Sequence, residues 1–422
     1  MQYVIIGAGP AGVTAAETLR KIDPSGVVTI IGDEPEMPYS RMAIPYLLIN
    51  QIDERGTLLR KDDDHYKKHG ISIVQGKVVS VNQTDKTVGL QGDTKVNYDR
   101  LLIATGSTPL APPIPGIDLS GVTSCWTLED ARHIARIAKS GSKVVLMGAG
   151  FIGCIILEAL AKSGADLTVV EMEDRMVPRM MNDIAGTMIK DWCQHKGVDV
   201  HTSTRVNSIS QNGAPLLVEL STGHKLAVDM VVSATGVKPN TSALDTTDVK
   251  IEDGILVDRG MRTSDENIFA AGDVAQGYDF STGEMSVQAI QPTAVEHGAL
   301  AAKNMAGLNQ ATHQGSVNMN VLDTLGLVSS SFGLWMGVAG GDSAELLNKE
   351  RFKYINLQFQ DDILVGATSL GLTQHVGVLR GLIQSKIKLG VWKERLIKDP
   401  ARIMEAYLGA TQAIGFNAGV MK

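Results

Sequence analysis

Cysteine is scarce. Only Cys125, Cys154 and Cys193 occur in 422 residues, far apart and in no CxxC or similar pair. A disulfide framework and a zinc ribbon are therefore excluded. Long apolar runs are missing too. The longest, Val144 to Leu157, has 14 residues, holds three glycines and ends at Glu158, whereas a membrane-spanning helix needs about 20. There is no basic tract, and the net charge is −7, which argues against nucleic acid as a partner. The chain lacks a GxSxG nucleophile elbow, a GxxxxGK[ST] phosphate loop and HExxH. His65 and His69 are four apart, but in DDDHYKKH they sit among lysines without that glutamate. They read as a solvated helix face, and no metal ligand is assigned. The opening MQYVIIGAG runs straight into an apolar strand without a charged leader, which predicts a cytoplasmic protein.

Glycine is abundant, at 44 of 422 residues, well above the usual share of about 7%. Its placement is informative. Residues 3–6 (YVII) run into Gly7-Ala8-Gly9-Pro10-Ala11-Gly12, then an alanine-rich helical stretch, then the apolar run Val27 to Ile31 ending at Gly32-Asp33-Glu34. Strand, glycine turn, helix, strand and acid within about 30 residues make a dinucleotide-binding unit. Gly7 permits the turn, Gly9 lets main-chain N–H groups approach a pyrophosphate, and Gly12 lets helix and strand pack closely. Asp33 or Glu34 would hold a ribose diol.

The pattern recurs. KVVLM (143–147) leads into Gly148-Ala149-Gly150-Phe151-Ile152-Gly153, a helix, and the strand DLTVVE ending at Glu171. Two such fingerprints imply two dinucleotide sites. Glu171 would accept from the 2′-OH of NADH and repel the 2′-phosphate of NADPH, although Arg175 and Arg179 lie close in sequence. The runs YDRLLIATG and MVVSATG end in Ala104-Thr105-Gly106 and in Gly236, where each unit would close. NIFAAGDV carries Gly272-Asp273, an acid placed to accept from polyol hydroxyls and to open a helix. Each of these three is also readable as an ordinary strand end; their order is what informs.

With these motifs the chain resembles the FAD-dependent pyridine nucleotide-disulfide oxidoreductase superfamily over nearly its whole length. The stretch GDEPEMPYSR (32–41) is similar to the branch holding NADH:rubredoxin and ferredoxin reductases and the flavin half of assimilatory nitrite reductase. The resemblance implies an α/β protein: two Rossmann-like dinucleotide-binding domains plus a C-terminal α+β interface domain. An FAD domain would span 1–112 and 248–315, an NAD(P)H domain 113–247, and the interface domain, with a possible homodimer contact, 316–422. It implies that Asp33 binds the FAD adenosine ribose with Glu34 beside it, that Arg41 contacts the nucleotide end, and that Val78 holds the adenine through its main chain. Asp273 would bind the ribityl chain, and Gln291 to Gly298 would flank the flavin ring.

The departures from that pattern carry chemistry. Met42 stands where thiol-dependent relatives have a redox cysteine, and the first helix lacks a cysteine pair. Thiol-based peroxide or disulfide reduction is therefore not expected. Pro45 and Tyr46 replace a flavin-side lysine, Ile155 a glutamate near the nicotinamide, Gln291 an aromatic, and His297 a glutamine. The expected function is electron transfer from NADH through FAD to a protein acceptor such as rubredoxin, ferredoxin or a partner subunit. No side chain is named as catalytic, because the cofactor carries the redox chemistry. Two alternatives remain: an electron-relay or sensing subunit with a vestigial nicotinamide site, suggested by Ile155, and a peroxide-forming NADH oxidase. Residues 380–402 hold seven basic side chains against two acidic ones, a surface for an acidic electron carrier or simply a solvated helix face.

Overall fold

The computed structural model describes residues 1–420 apart from 212, 214, 309 and 310. The chain forms two compact units, Met1–Pro109 with Val237–Ser316, and Leu110–Gly236 with Val317–Lys422.

In the first unit, apolar strands form a five-stranded parallel sheet in the order Ile268–Ala270, Arg100–Ile103, Gln2–Ile6, Val27–Gly32, Ile71–Gln75. Ile5 sits opposite Ile30 on one side and Leu102 on the other. Strands covered on both faces need apolar runs of this kind. The helix Pro10–Ile22 starts at Gly9 with proline in its first turn and ends with Arg20 and Lys21; the proline suits a turn whose N–H groups have no helical partner, and the two cations suit the negative end of the dipole. The helix Gln291–Met305 packs along it. The crossing is close because residue 298 is glycine: a β-carbon there would lie 2.2 Å from the carbonyl oxygen of Ala11. Gly272–Val274 forms a single 3-10 turn followed by the strand Ala275–Tyr278, so the helix expected after Gly272-Asp273 does not form. The strand takes over because Gln276 and Tyr278 pair with Val287 and Met285.

The second unit repeats the plan. Its parallel sheet runs Asp199–His201, Asp166–Val170, Lys143–Met147, Met230–Ser233, Val122–Ser124, with the helix Phe151–Lys162 starting at Gly150. The segment Ala111 to Gly116 is not a free spacer. Pro115 accepts from the Ile209 N–H at 2.8 Å, and a β-carbon on Gly116 would stand 1.8 Å from the Ile209 carbonyl oxygen. The tail of this unit is a five-stranded antiparallel sheet ordered Met319–Thr324, Leu327–Gly333, Ile363–Leu370, Lys353–Gln360, Asp342–Asn348. The helices Val376–Ser385, Val391–Lys398 and Ile403–Val420 accompany it, and Phe332, Leu357, Phe359, Leu379 and Leu396 form its core.

Among the described residues, no helix is long and apolar enough to cross a membrane.

Candidate dinucleotide-binding sites

The two glycine turns are built by the same steric logic. Gly7 has φ +114° and Gly148 φ +100°, conformations that disfavour any side chain. A β-carbon on Gly7 would meet the Ala104 carbonyl oxygen at 2.0 Å, and one on Gly148 the Ala234 carbonyl oxygen at 2.5 Å. A β-carbon on Gly12 would lie 2.0 Å from the Gly7 carbonyl oxygen, and one on Gly153 2.1 Å from that of Gly148. The outer glycines are thus forced by protein packing. The middle ones are not: a β-carbon on Gly9 or Gly150 would meet nothing within 4 Å. That open space lies at the start of each helix, and neither helix has an acidic residue in its first turn. The positive end of each dipole, with its unpaired N–H groups, is left for an anion. Main-chain donors, positive potential and free volume fit a pyrophosphate.

Around the first turn, several sequence-selected residues converge. Gly272 faces Ala11 and Ala294, with a β-carbon there 3.4 Å from each of their methyl groups. Asp273 accepts from the Ser107 hydroxyl at 3.1 Å. Burial pushes its carboxyl upward, partly offset by the Ser107 hydrogen bond and the Arg41 charge. Arg41 pairs with Glu34 at 2.7 Å, and Glu34 also accepts from the Tyr39 hydroxyl. Glu34 thus orients Arg41, whereas Asp33 is exposed at the strand end. Gln291 accepts from Ser40 at 2.6 Å. Val78 opens the strand Val78–Asn82 and pairs with Leu90. Ala104 donates to Ile6 at 2.7 Å, and Thr105 and Gly106 are clasped by Asn240.

The His297 ring packs edge-on against His313 at 4.8 Å, and both its nitrogens are buried without a partner. Burial holds it neutral, with its pKa pushed down to about 3.

In the second unit, Glu171 is buried and its carboxylate is bonded to the main chain. Oε2 accepts from the Ala149 N–H at 2.6 Å and Oε1 from the Glu173 N–H at 2.9 Å. Arg175 is committed to Asp174, Asp183 and the Met181 carbonyl, so it is not free for a 2′-phosphate. Phe151, Ile152 and Ile155 are half-buried on the first turns of their helix. Gly236, with φ +117°, ends the segment after Met230–Ser233.

Sequence reasoning missed Ser107 and Asn240. The hydroxyl two residues after Thr105 was a visible hint for Ser107; nothing local marks Asn240.

All three cysteines are buried and free. Burial pushes Cys125 and Cys193 up to about 12, and Cys154, beside Cys193 and Glu171, well above the ordinary thiol value. Met42 is exposed. Among the described residues no group of three or more His, Cys, Asp or Glu could hold a metal; His65 instead bonds Glu17 at 2.8 Å.

The sequence profile of the pyridine nucleotide-disulphide oxidoreductases matches residues 1–298. The NADH-dependent phenylglyoxylate dehydrogenase subunit epsilon of Aromatoleum evansii is 29% identical, across 97% of this chain and 98% of that one. Rhodocoxin reductase of Rhodococcus erythropolis is 34% identical, across 75% and 74%. The structure of an NAD-dependent persulfide reductase from A. fulgidus superposes with TM-score 0.85 at 28% identity, covering 93% of this chain and 78% of the other. The protein is an oxidoreductase whose cofactors are FAD and NADH. With two glycine turns of one design and a profile match across most of its length, the chain belongs to the pyridine nucleotide-disulphide oxidoreductase family.

Proposed function

We propose that this protein takes electrons from NADH through FAD and passes them to a protein acceptor, with FAD at the Gly7–Gly12 turn and NADH at the Gly148–Gly153 turn. The observation that carries the reading is the pair of open middle glycines, Gly9 and Gly150, each at a helix start free of acidic residues. FAD, when bound, accepts a hydride from a nicotinamide and releases electrons singly. The residues bind and orient. The first turns of Pro10–Ile22 and Phe151–Lys162 take the pyrophosphates. Asp33 takes the adenosine ribose, Arg41 on its Glu34 anchor the nucleotide end, and the Val78 main chain the adenine. Asp273, held by Ser107, takes the polyol. In this reading the FAD domain is 1–112 with 248–315, the NADH domain 113–247, and the tail from 316 the interface domain. Buried, protonated thiols do not act as nucleophiles, so cysteine chemistry is not part of the proposal.

The acceptor would be an acidic carrier or partner subunit docking at 380–402. There Arg380, Lys386, Lys388, Arg395, Lys398 and Arg402 are exposed; Arg402 pairs with Glu405 and Lys393 with Asp342. Reduced, buried cysteines suit a cytoplasmic location. The test is anaerobic addition of NADH to the purified yellow protein. Bleaching of the flavin band supports the proposal. Bleaching by dithionite but not by NADH overturns it and favours a relay subunit, a reading supported by the end-to-end similarity to a dehydrogenase subunit and by Ile155. Oxygen uptake with NADH alone, matching the rate with any acceptor, would mark an oxidase.

A further inference from the structure

Residues 171–181 form a strap over the second glycine turn, and one residue of it is conformationally costly. Val177 has φ +46°, a left-handed conformation that is a genuine outlier for a β-branched side chain. Its N–H donates to the Ala149 carbonyl oxygen at 2.8 Å. The Ala149 N–H donates to Glu171 at the other end of the strap. Both main-chain groups of Ala149, the residue between Gly148 and Gly150, are therefore held by one strap. Cys154 adds a long thiol contact of 3.5 Å to the same carbonyl.

The strap is fastened from behind. Met176, Val177, Met180 and Met181 are buried. The N–H groups of Met180 and Met181 both donate to the Val177 carbonyl at 3.0 Å. The helix Asp183–His195 comes so close that a β-carbon on its Gly186 would stand 2.6 Å from the Met176 carbonyl oxygen. Ser203 and Thr204 donate to the carbonyls of Glu173 and Glu171 at 2.7 and 2.9 Å. Strain of this kind persists only where the surroundings over-determine it. Here they press the strap onto the turn.

We propose that Val177 is a positioning residue for NADH: its left-handed backbone aims its N–H at Ala149 and so holds the glycine turn in the shape that receives the pyrophosphate. This rests on the assignment of NADH to the second turn.

The test compares Val177→Ala with Val177→Gly in the FAD-loaded protein, measuring the NADH dissociation constant by titration calorimetry and amide exchange across 147–150. Both variants remove the buried side chain, but only alanine retains the penalty for a left-handed backbone. Val177→Ala is expected to weaken NADH roughly tenfold and to speed exchange, whereas Val177→Gly stays within about threefold of wild type. Wild-type affinity in Val177→Ala, or glycine binding NADH more weakly than alanine, overturns the proposal, because a merely packing role ranks the two that way. If Val177→Ala does not fold, Val177→Asn, which tolerates the left-handed region, takes its place; NADH affinity in folded Val177→Asn within about threefold of wild type supports the proposal, and a larger loss counts against it. Wild-type protein that binds no NADH overturns the site assignment itself.

Discussion

Thr105 and Asn240 hold each other reciprocally. The Thr105 hydroxyl donates to the Asn240 carbonyl oxygen at 2.7 Å, and the Asn240 side-chain amide donates to the Thr105 carbonyl oxygen at 3.0 Å. The Asn240 N–H also donates to Gly106 at 2.9 Å, and its side-chain oxygen accepts from Thr108. One side chain thereby secures the turn after Arg100–Ile103, two residues before Ser107, the donor to Asp273. Asn240→Ala should cost about 1–3 kcal/mol through the groups left unpaired. Because it loosens Ser107, flavin should also leave at a lower temperature. Flavin fluorescence during a thermal ramp reads both, and an unchanged release temperature would refute the link.

The middle and outer glycines should behave oppositely. Gly9→Ala meets no protein atom, so the protein should fold with a wild-type circular dichroism spectrum yet purify with far less flavin. Gly12→Ala drives a methyl to 2.0 Å from the Gly7 carbonyl oxygen and should destabilise the fold by several kcal/mol, in the range of overpacking or beyond. Gly150→Ala should keep its flavin and weaken NADH. Equal flavin content in Gly9→Ala and wild type would count against FAD at the first turn.

His297 predicts an acid limit to stability. His313, Glu296 and Arg259 surround the pair: His313 touches His297 edge-on and lies 3.6 Å from Glu296, and its main-chain N–H donates to the Arg259 carbonyl. The folded pKa of His297 lies at about 3, below the ordinary value of about 6.5. Above pH 6.5 both folded and unfolded states hold it neutral and there is no penalty. As pH falls below 6.5 the unfolded state takes up a proton that the folded state refuses, so stability drops by about 1.4 kcal/mol per pH unit from this group. His297→Gln should flatten that part of a urea-denaturation profile between pH 6.5 and 4.5. Parallel profiles for the two proteins would contradict it.

Thiol reagents should leave the native enzyme alone. All three cysteines are buried and their thiols are held protonated by burial. Labelling with a dithiobenzoate reagent should count close to zero thiols in native protein and three in urea, with NADH-dependent flavin bleaching unaffected by pre-incubation. Rapid labelling with loss of bleaching would restore a role for cysteine.

Much of this was legible before any coordinates, and the reason is range. A glycine turn, its strand and its helix are neighbours in sequence, so their sterics are written in about 30 consecutive residues. The antiparallel strands of the tail, at 353–360 and 363–370, are likewise neighbours in sequence. The helix expected after Asp273 failed because strand pairing with Met285–Val287 outweighed the local pattern. Ser107 and Asp273 are 166 positions apart, and Thr105 and Asn240 are 135; no spacing in the chain announces such pairs.

The amino-acid sequence by itself determined that the chain carries two dinucleotide turns and no usable redox thiol pair, because short-range backbone sterics demand glycine at given spacings and cysteine is simply rare. Only the tertiary structure decided what each acid does. Glu171 spends both carboxylate oxygens on main-chain donors while Asp33 stays exposed, because burial and partner supply are properties of the packed interior and not of position along a strand.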